Sequence, residues 1–432
     1  MVSMSSWGRL THAPHEVCSL INQQQIRSLL TTKKPGIAYG MGRSYGDVCL
    51  NPNGILWKTT QLARFIHFDE VTGRLRCEAG VLLGDIQQLL IPRGWMLPVT
   101  PGTQMVTVGG AIANDVHGKN HHLFGSFGHH VQRIRLLRTD GTIIDCSADS
   151  YPEWFFATIG GLGLTGIISE VDLQLRPTSG PWLDTETIPF ASLDEFFLLA
   201  NASTTQWEHT VSWIDCLAQT NCRGIFMRAN PSPVINLQEP KQRALVLPFQ
   251  PPFSLINRLS LKLFNSAYFK LNKRKAGKQL MHYQPFFYPL DKIAQWNKIY
   301  GPKGFYQYQS VVPQAVGQDA VHAMLHEIAG SGEGSFLAVL KTFGPQASLG
   351  MLSFPQHGVT LALDFPNRGA KTEQLFKRLD SIVGEAGGRI YPAKDARMPR
   401  ALFAAGYPRL SEFQTYRDPG ISSSLSRRLM GT

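Results

Sequence analysis

Charged residues and cysteines are both scarce in this chain. Only 17% of its 432 residues are charged, where about 25% is usual for a soluble protein. The six cysteines are scattered and form no Cys-x-x-Cys pair. We therefore expect free thiols, with neither a disulfide framework nor a zinc site.

Long apolar runs are missing as well. No stretch approaches about 18 uninterrupted apolar residues, so the sequence predicts no membrane-spanning helix. Residues 1–17 include Trp7, Arg9 and Glu16 and lack the apolar core of a signal peptide. We therefore expect a cytoplasmic protein.

The length of the chain predicts two or three domain-sized units. The composition changes at residues 177–181, where Thr-Ser-Gly lies between two prolines, and this predicts a domain boundary. Alternating apolar residues predict strands over 131–137 and 167–175. Residues 14–32 are predicted as a helix that stops before Lys33-Lys34-Pro35-Gly36.

Positive charge is concentrated in one segment, residues 240–290. This segment contains no Asp or Glu, and it holds nine of the eleven net positive charges of the chain, interleaved with Phe, Leu, Ile and Tyr. Its basic residues are Lys241, Arg243, Arg258, Lys262, Lys270, Lys273, Arg274, Lys275 and Lys278. An anionic membrane surface, a nucleic acid or plain solvent could face such a segment. No nucleic-acid-binding motif accompanies the charges.

A first glycine-rich loop runs from Gly40 to Asp47. Closely spaced glycines let backbone N–H groups converge on an anion, and Arg43 and Ser44 add donors. The loop lacks both the P-loop ending and the Rossmann spacing, so phosphate binding and a plain tight turn stay open. A Gly-x-Gly-x-x-Gly at residues 161–166 runs into a strand pattern, which does not fit a dinucleotide fingerprint.

A second glycine-rich segment covers residues 101–128. Small residues at 109–111 and 113 allow a large flat group to lie against the backbone, and Asn114, His117 and Lys119 offer polar groups along its edge. Five histidines occur at positions 117, 121, 122, 129 and 130. No carboxylate-completed ligand set accompanies them, so we expect no metal.

Four ordered motifs carry a resemblance to a known family: AYGMGRSYGD, PGTQMVTVGGAIANDVHGKNHH, FFATIGGLGLTGI and GGRIYPAKDAR. The chain resembles the vanillyl-alcohol-oxidase-type FAD flavoproteins, and among them the decaprenylphosphoryl-β-D-ribose 2′-oxidase family. Aldonolactone oxidases are more distant relatives. The likeness extends through residues 296–313 and 336–345 and so covers most of the chain.

The resemblance implies a two-domain α+β fold: a PCMH-type FAD-binding domain (residues 1–178), a substrate domain with an antiparallel sheet (179–388) and a C-terminal segment returning to the first domain (389–432). Many relatives attach FAD covalently through a histidine where this chain has Arg43, so non-covalent FAD is expected. The implied cofactor contacts are Ala38, Tyr39, Gly40, Met41, Gly42, Arg43, Ser44, Tyr45, Gly46, Asp47, Val48, Gly102, Thr107, Val108, Gly109, Gly110, Asn114, Asp115, Val116, His117, Ile167 and Tyr391.

The resemblance also assigns the chemistry. Lys394, His117 and Tyr391 would be catalytic, and Gln307, Gln309, Lys341 and Lys394 would contact the sugar. A lysine beside the flavin can stabilise negative charge on the reduced ring, or act as base if burial lowers its pKa. The alternative for Lys394 is a surface salt bridge with Asp395. Mycobacterial relatives carry a pocket cysteine where this chain has Ala362.

The implied reaction is oxidation of the 2′-hydroxyl of a polyprenyl-phosphoryl-β-D-ribose-like substrate, as the oxidative half of an epimerisation completed by a short-chain reductase. The alternatives are an aldonolactone oxidase and, in another class, a basic nucleic-acid-binding protein. A lipid-linked substrate gives residues 253–278 a candidate role on an anionic membrane surface, so we expect peripheral association with the inner membrane and no nucleic-acid partner.

Overall fold

The first part of the chain forms a four-stranded, a five-stranded and a two-stranded sheet. The computed structural model describes residues 1–22, 34–218, 222–234, 245–247 and 249–431. The strands of these sheets are β1 (Val2–Met4), β2 (Ala13–Ser19), β3 (Gly36–Tyr39), β4 (Ile55–Lys58), β5 (Phe65–Asp69), β6 (Arg74–Glu78), β7 (Trp95–Met96), β8 (Val131–Leu137), β9 (Ile143–Cys146), β10 (Ile167–Gln174) and β11 (Arg176–Pro177).

The four-stranded sheet has the order β1-β2-β4-β3, and β4 is parallel to both of its neighbours. The helix predicted over residues 14–32 is wrong at its start, because Ala13–Ser19 is strand β2. This strand pairs with the fully buried residues 55–57 of β4, so tertiary pairing outweighs the local pattern. The rest of that prediction, residues 23–33, lies outside the described residues.

The five-stranded sheet is antiparallel throughout, with the order β5-β6-β10-β8-β9. The strands predicted over 131–137 and 167–175 are confirmed as β8 and β10. β7 and β11 pair with each other beside this sheet.

Most of the second part of the chain builds one eight-stranded antiparallel sheet. Its strands are β12 (Trp182–Phe190), β13 (His209–Ile214), β14 (Gly224–Pro231), β16 (Gly277–His282), β18 (Phe305–Pro313), β19 (Ala338–Phe343), β20 (Gly358–Pro366) and β21 (Arg389–Ile390), in the order β16-β12-β14-β13-β19-β20-β18-β21. β15 (Leu245–Val246) and β17 (Ile293–Ala294) form a short parallel pair apart from it. The predicted α+β class with an antiparallel sheet is confirmed.

Helices cover one face of the eight-stranded sheet. On the other face a helix of residues 258–274 packs on β12 and β14, and the part formed by β18, β19 and β20 is open to a cavity. The helices are α1 (Leu83–Leu90), α2 (Val108–Ala113), α3 (His121–Phe124), α4 (Pro152–Thr158), α5 (Leu193–Ser203), α6 (Arg258–Arg274), α7 (Tyr283–Phe287), α8 (Gly317–Ser331), α9 (Ala370–Glu385), α10 (Arg400–Gly406), α11 (Leu410–Gln414) and α12 (Ser424–Met430). Helices α5, α8 and α9 pack on β14, β20 and β18. No helix among the described residues is long and apolar enough to cross a membrane.

The alternation of side chains along the strands determines which residues lie on the open face of the sheet. Leu340, Leu361 and Leu363 are buried on the helix side, so their neighbours in sequence point the other way. Gln309 lies opposite Ala362, which lies opposite Val339, and Lys341 lies opposite Thr360. The open face is therefore lined by amide, ammonium and hydroxyl groups from separate strands.

The last residues of the chain contact both parts. Ile390 in β21 pairs with Ser310 in β18, at the edge of the eight-stranded sheet. Further on, the Asp418 carboxylate accepts the Thr139 N–H at 2.7 Å, and Arg428 bonds Asp47 at 2.9 Å. The predicted division of the chain at residues 178 and 388 stays a prediction.

Candidate active site

A cavity of about 720 Å³ lies between the first part of the chain and the open face of the eight-stranded sheet. Residues 38–48, 100–119 and 162–168 contribute one wall, and strands β13, β18, β19 and β20 contribute the other. Residues 391–394 complete it at the C-terminal side. The volume is in the range of sites that bury a whole organic ligand.

The first glycine loop follows β3 and turns its backbone toward the cavity. A Cβ on Gly40 would lie 2.6 Å from the Thr107 hydroxyl, and Gly42 has φ +61, so neither position accommodates a larger residue without strain. A Cβ on Gly46 would overlap the carbonyl oxygen of Asp395. The loop is therefore fixed by close contacts on its outer side and leaves its inner side open.

Helix α2 continues this wall. Its N-cap Thr107 accepts the N–H of Gly110 at 3.2 Å, and Gly109 packs against Ala79. Asn114 donates to the Gly110 carbonyl at 2.9 Å, which leaves its Oδ1 buried without a partner among the described residues. Arg43 Nε is also buried without a hydrogen-bond partner among the described residues. Buried polar atoms without partners at a cavity wall indicate that a polar ligand supplies the missing hydrogen bonds.

His117 joins the two walls. Its Nε2 lies 2.9 Å from Gln309 Nε2, and its Nδ1 lies 3.2 Å from Lys341 Nζ. Burial and the nearby Lys341 hold the pKa of His117 well below its usual range, so the ring is neutral at pH 7. Both neighbours are N–H donors, and a neutral imidazole has one unprotonated nitrogen, so it accepts a hydrogen bond in only one of these two contacts.

Lys394 lies against Tyr45, with its Nζ 3.9 Å from the ring centroid. Burial lowers the pKa of Lys394 to about 8, and the carboxyl of Asp364 opposes this shift. The alternative of a Lys394–Asp395 salt bridge is wrong, because Asp395 pairs with Arg428 at 3.0 Å. Lys394 therefore faces the cavity, where a partly neutral amine can accept a proton.

Asp364 is a buried carboxyl behind this lysine, and the sequence prediction missed it. Gln307 donates to its Oδ1 at 2.6 Å, while its Oδ2 has no partner among the described residues. Burial raises the pKa of Asp364 to about 7. Asp364 is two residues from Ala362 on β20, so the two side chains lie on the same face of the sheet. This spacing could have indicated Asp364, but a strand pattern alone does not tell which face lines a cavity.

Lys119 was predicted only as a polar group at the edge of the bound flat group, with no catalytic or substrate role. Its Nζ donates to the carbonyl of Phe287 at 2.9 Å, and burial lowers its pKa to about 8. It lies two residues beyond His117, within the VHGKN run. Lys119, Lys341 and Lys394 thus bring three ammonium groups to one cavity.

Comparison with known proteins places the chain in a family. A model of the FAD binding domain matches residues 22–147. The chain is 34% identical to the decaprenylphosphoryl-β-D-ribose oxidase of Mycolicibacterium smegmatis, over 99% of this chain and 97% of that protein. The chain belongs to the decaprenylphosphoryl-β-D-ribose oxidase family. The predicted resemblance and the FAD cofactor are confirmed, and this oxidase is an FAD-dependent oxidoreductase.

Lactone oxidases match a smaller part of this oxidase. The L-gulonolactone oxidase of Mus musculus is 31% identical over 38% of this chain and 34% of its own length. A putative D-arabinono-1,4-lactone oxidase of Neurospora crassa is 25% identical over 36% of this chain and 28% of its own length.

Most residues predicted to contact FAD line the cavity, and the wall fits this group. Those that line it are Ala38, Gly40, Met41, Gly42, Arg43, Ser44, Tyr45, Val48, Gly102, Thr107, Gly109, Gly110, Asn114, Val116, His117 and Tyr391. All four predicted substrate residues, Gln307, Gln309, Lys341 and Lys394, line it too. Gly163 and Gly166 also line it, so the third glycine run contributes backbone to the wall although it opens a strand.

Six predicted cofactor residues lie behind this wall: Tyr39, Gly46, Asp47, Val108, Asp115 and Ile167. Asp115 is fully buried and accepts hydrogen bonds from Ser126 and Ser353 at 2.9 and 2.6 Å and from the Gly128 N–H at 2.8 Å. The Tyr39 hydroxyl donates to the Ser5 carbonyl. Membership in a motif did not reveal on which side of the backbone these side chains lie.

Proposed function

We propose that this oxidase oxidises the 2′-hydroxyl of a polyprenyl-phosphoryl-β-D-ribose, and that a separate short-chain reductase completes an epimerisation. The observation that carries the proposal is the near full-length similarity to a decaprenylphosphoryl-β-D-ribose oxidase, which includes the strands of the sheet wall. Lactone oxidases match only a little over a third of the chain. The substrate part of the chain therefore favours the lipid-linked sugar.

In this proposal the glycine loop holds FAD without a covalent bond. Gly40, Gly42 and Ser44 would offer backbone N–H groups to the pyrophosphate, and Arg43 would offer its Nε, which has no partner among the described residues. Thr107–Gly110 and Asn114 lie along the remainder of the cofactor. FAD, when bound, takes the hydride that leaves the carbinol carbon.

Lys394 is proposed to take the proton of the reacting hydroxyl. At pH 7.5 a lysine with a pKa of about 8 is neutral in a substantial fraction of molecules, so it can act as a base. Tyr391, whose hydroxyl donates to the Asn114 carbonyl at 2.8 Å, would hold the C-terminal turn in place. Neutral His117, Gln307 and Gln309 would orient the sugar hydroxyls.

Anaerobic reduction of the bound flavin tests this proposal. FAD-loaded protein is mixed with a short-chain prenylphosphoryl-β-D-ribose, with L-gulono-1,4-lactone and with free ribose. We expect loss of the oxidised flavin absorbance with the phosphoryl ribose alone. Reduction by the lactone and not by the phosphoryl ribose would identify a lactone oxidase instead.

We also propose that helix α6 attaches the enzyme to an anionic membrane surface. One side of the helix is anchored: Asn265 donates to Asp215 at 2.7 Å, and Tyr268 packs on Trp213 at 4.7 Å between ring centroids. On the other side Leu259, Leu263 and Leu271 are 68%, 65% and 53% exposed.

Basic residues accompany these exposed leucines: Arg258, Lys262, Lys270, Lys273 and Arg274. Each basic residue near an anionic surface contributes about 1 kcal/mol of binding free energy, and the leucines add apolar contact. Phe264 and Tyr268 of the same helix line the cavity, so a membrane on this side would lie next to its opening. Lys241 and Arg243, predicted in the same basic segment, lie outside the described residues.

Substitutions on the exposed side of α6 test membrane attachment, because deletion of residues 253–278 would also remove the packed side of the helix. Leu259→Ser with Leu263→Ser should weaken sedimentation with phosphatidylglycerol vesicles and leave FAD content unchanged. Leu198→Ser is the matched control, since Leu198 on α5 is 69% exposed. Equal sedimentation of both proteins would contradict the proposal, and retention on duplex DNA in place of vesicles would favour a nucleic-acid partner.

A further inference from the structure

The cavity holds two lysines without a counter-ion, Lys341 on the sheet wall and Lys119 at the end of the facing wall. Lys341 Nζ lies 3.1 Å from the carbonyl of Gly118, and Lys119 is the next residue along the chain. Among the described residues, the two Nζ atoms have backbone carbonyls and an imidazole as hydrogen-bond partners. Each Nζ also lies 5.7 Å from an aromatic ring centroid, that of Phe286 for Lys119 and that of Phe343 for Lys341. No carboxylate of the described residues lies within 4.0 Å of either ammonium group.

The two acidic residues near the cavity, Asp291 and Asp364, do not act on the charges of Lys119 and Lys341. Asp291, which lines the cavity, accepts the Gln104 N–H at 2.9 Å, and Asp364 accepts from Gln307. The basic residues lining the same cavity are Arg43, Lys119, Lys341 and Lys394. An excess of buried basic groups around one cavity is stabilised in its charged form by an anionic ligand.

On the proposed function, we infer that Lys119 and Lys341 form the subsite for the phosphodiester that joins the sugar to its lipid. The reacting hydroxyl and this phosphate are carried by adjacent ring carbons, so a substrate with its hydroxyl at Lys394 places its phosphate nearby. Lys119 and Lys394 are both close enough to Lys341 to act on its charge. Lysine ammonium groups bind phosphate as point charges from more than one direction. The pyrophosphate of FAD belongs, on the proposed function, to the glycine loop of residues 40–47.

The electrostatic environment of the pair supports this assignment. Burial, with the neighbouring Lys119 and Lys394, lowers the pKa of Lys341 to about 7. The groups facing Lys341 are those two lysines, His117 and His121, all of them basic. An anion bound between Lys119 and Lys341 favours their charged forms, so binding at pH 7.5 should take up protons.

Calorimetry with non-reacting ligands tests the subsite. FAD-loaded protein is titrated with geranylphosphoryl 2-deoxy-β-D-ribofuranose and with the neutral geranyl 2-deoxy-β-D-ribofuranoside, in buffers of different ionisation enthalpy. We expect the phosphodiester to bind at least about tenfold more tightly and to take up protons. Lys119→Met and Lys341→Met should each reduce this preference about tenfold.

The controls separate the outcomes. Lys377→Met, on the exposed side of α9, should leave the preference unchanged, and Lys119→Arg should retain it. Equal binding of the two ligands by the unaltered protein would overturn the subsite. Loss of FAD from the methionine variants, with the preference intact, would assign the lysines to the cofactor. If neither ligand binds the FAD-loaded protein, the proposed function itself fails, and the subsite with it.

Discussion

The two walls of the cavity differ in the groups that they present to a ligand. The wall formed by residues 38–48 and 107–117 presents glycines and backbone groups, and close packing behind it fixes its position. The sheet wall presents long polar side chains from β18 and β19, and burial lowers the pKa of the lysine among them, Lys341. A cofactor that stays bound can be held by a fixed backbone, whereas a substrate that is bound and released with proton transfer needs groups that titrate.

Gly46→Ala should have the largest effect of the proposed substitutions, because it disturbs the wall that is built from backbone groups. The added Cβ would meet the carbonyl of Asp395, and neither backbone segment can turn away from it. We expect about 3 kcal/mol less stability and loss of FAD, measured by thermal unfolding and flavin content. Gly330→Ala is the control, since a Cβ there meets nothing within 4 Å. A fully loaded, equally stable Gly46→Ala protein would show that the loop is not fixed by this contact.

Lys394→Ala should separate FAD binding from substrate oxidation most clearly. Because this lysine is proposed to take a proton and not to hold FAD, flavin content should stay at the level of the unaltered protein. The rate of flavin reduction by the phosphoryl ribose should fall about 10³-fold, measured by stopped-flow absorbance. Lys377→Ala serves as the control. An unchanged reduction rate would remove Lys394 from the chemistry.

The pH dependence of flavin reduction should follow the same lysine. A base must be unprotonated, so the rate should rise with pH and reach half its maximum near the Lys394 pKa of about 8. Asp364→Asn removes a neighbouring carboxylate that favours the charged amine, and the midpoint should therefore move to lower pH. A midpoint that stays in place would show that Asp364 does not act on the base.

Ala362→Cys should have the smallest effect on turnover and a clear effect on labelling. Ala362 lines the sheet wall, and burial raises the pKa of Cys49, the cysteine on the opposite wall, to about 12. Thiol-directed electrophiles should therefore leave the unaltered cavity unlabelled and add one group to the variant, as measured by intact mass. Labelling of Cys49 in the unaltered protein would contradict the assignment.

The sequence was informative about one wall and much less about the other. Gly40–Tyr45 and Thr107–Gly110 could be predicted because close backbone approach requires consecutive small residues, which form a local pattern. Lys341 and Gln309 came only from the resemblance, Lys119 was predicted only at the edge of the bound flat group, and Asp364 was not assigned to the site. Their proximity depends on the register of β18, β19 and β20, which brings together residues far apart in the chain.

Contacts between residues far apart in the chain also explain why Asp115 and residues 14–19 differ from what their local patterns indicate. Asp115 lies within the best motif yet faces away from the cavity, toward Ser126 and Ser353. Residues 16–19 pair with β4, which follows about 40 residues later in the chain. The local sequence pattern of residues 14–19 does not indicate this pairing.

The most direct test is the position of the hydrogen that leaves the sugar. Prenylphosphoryl-β-D-ribose carrying deuterium at C2, and the same compound deuterated at C3, are mixed anaerobically with the FAD-loaded enzyme in single turnovers. Slower flavin reduction is expected with the C2 label alone, because the C2 hydride is transferred. A slower rate with the C3 label alone would contradict oxidation of the 2′-hydroxyl.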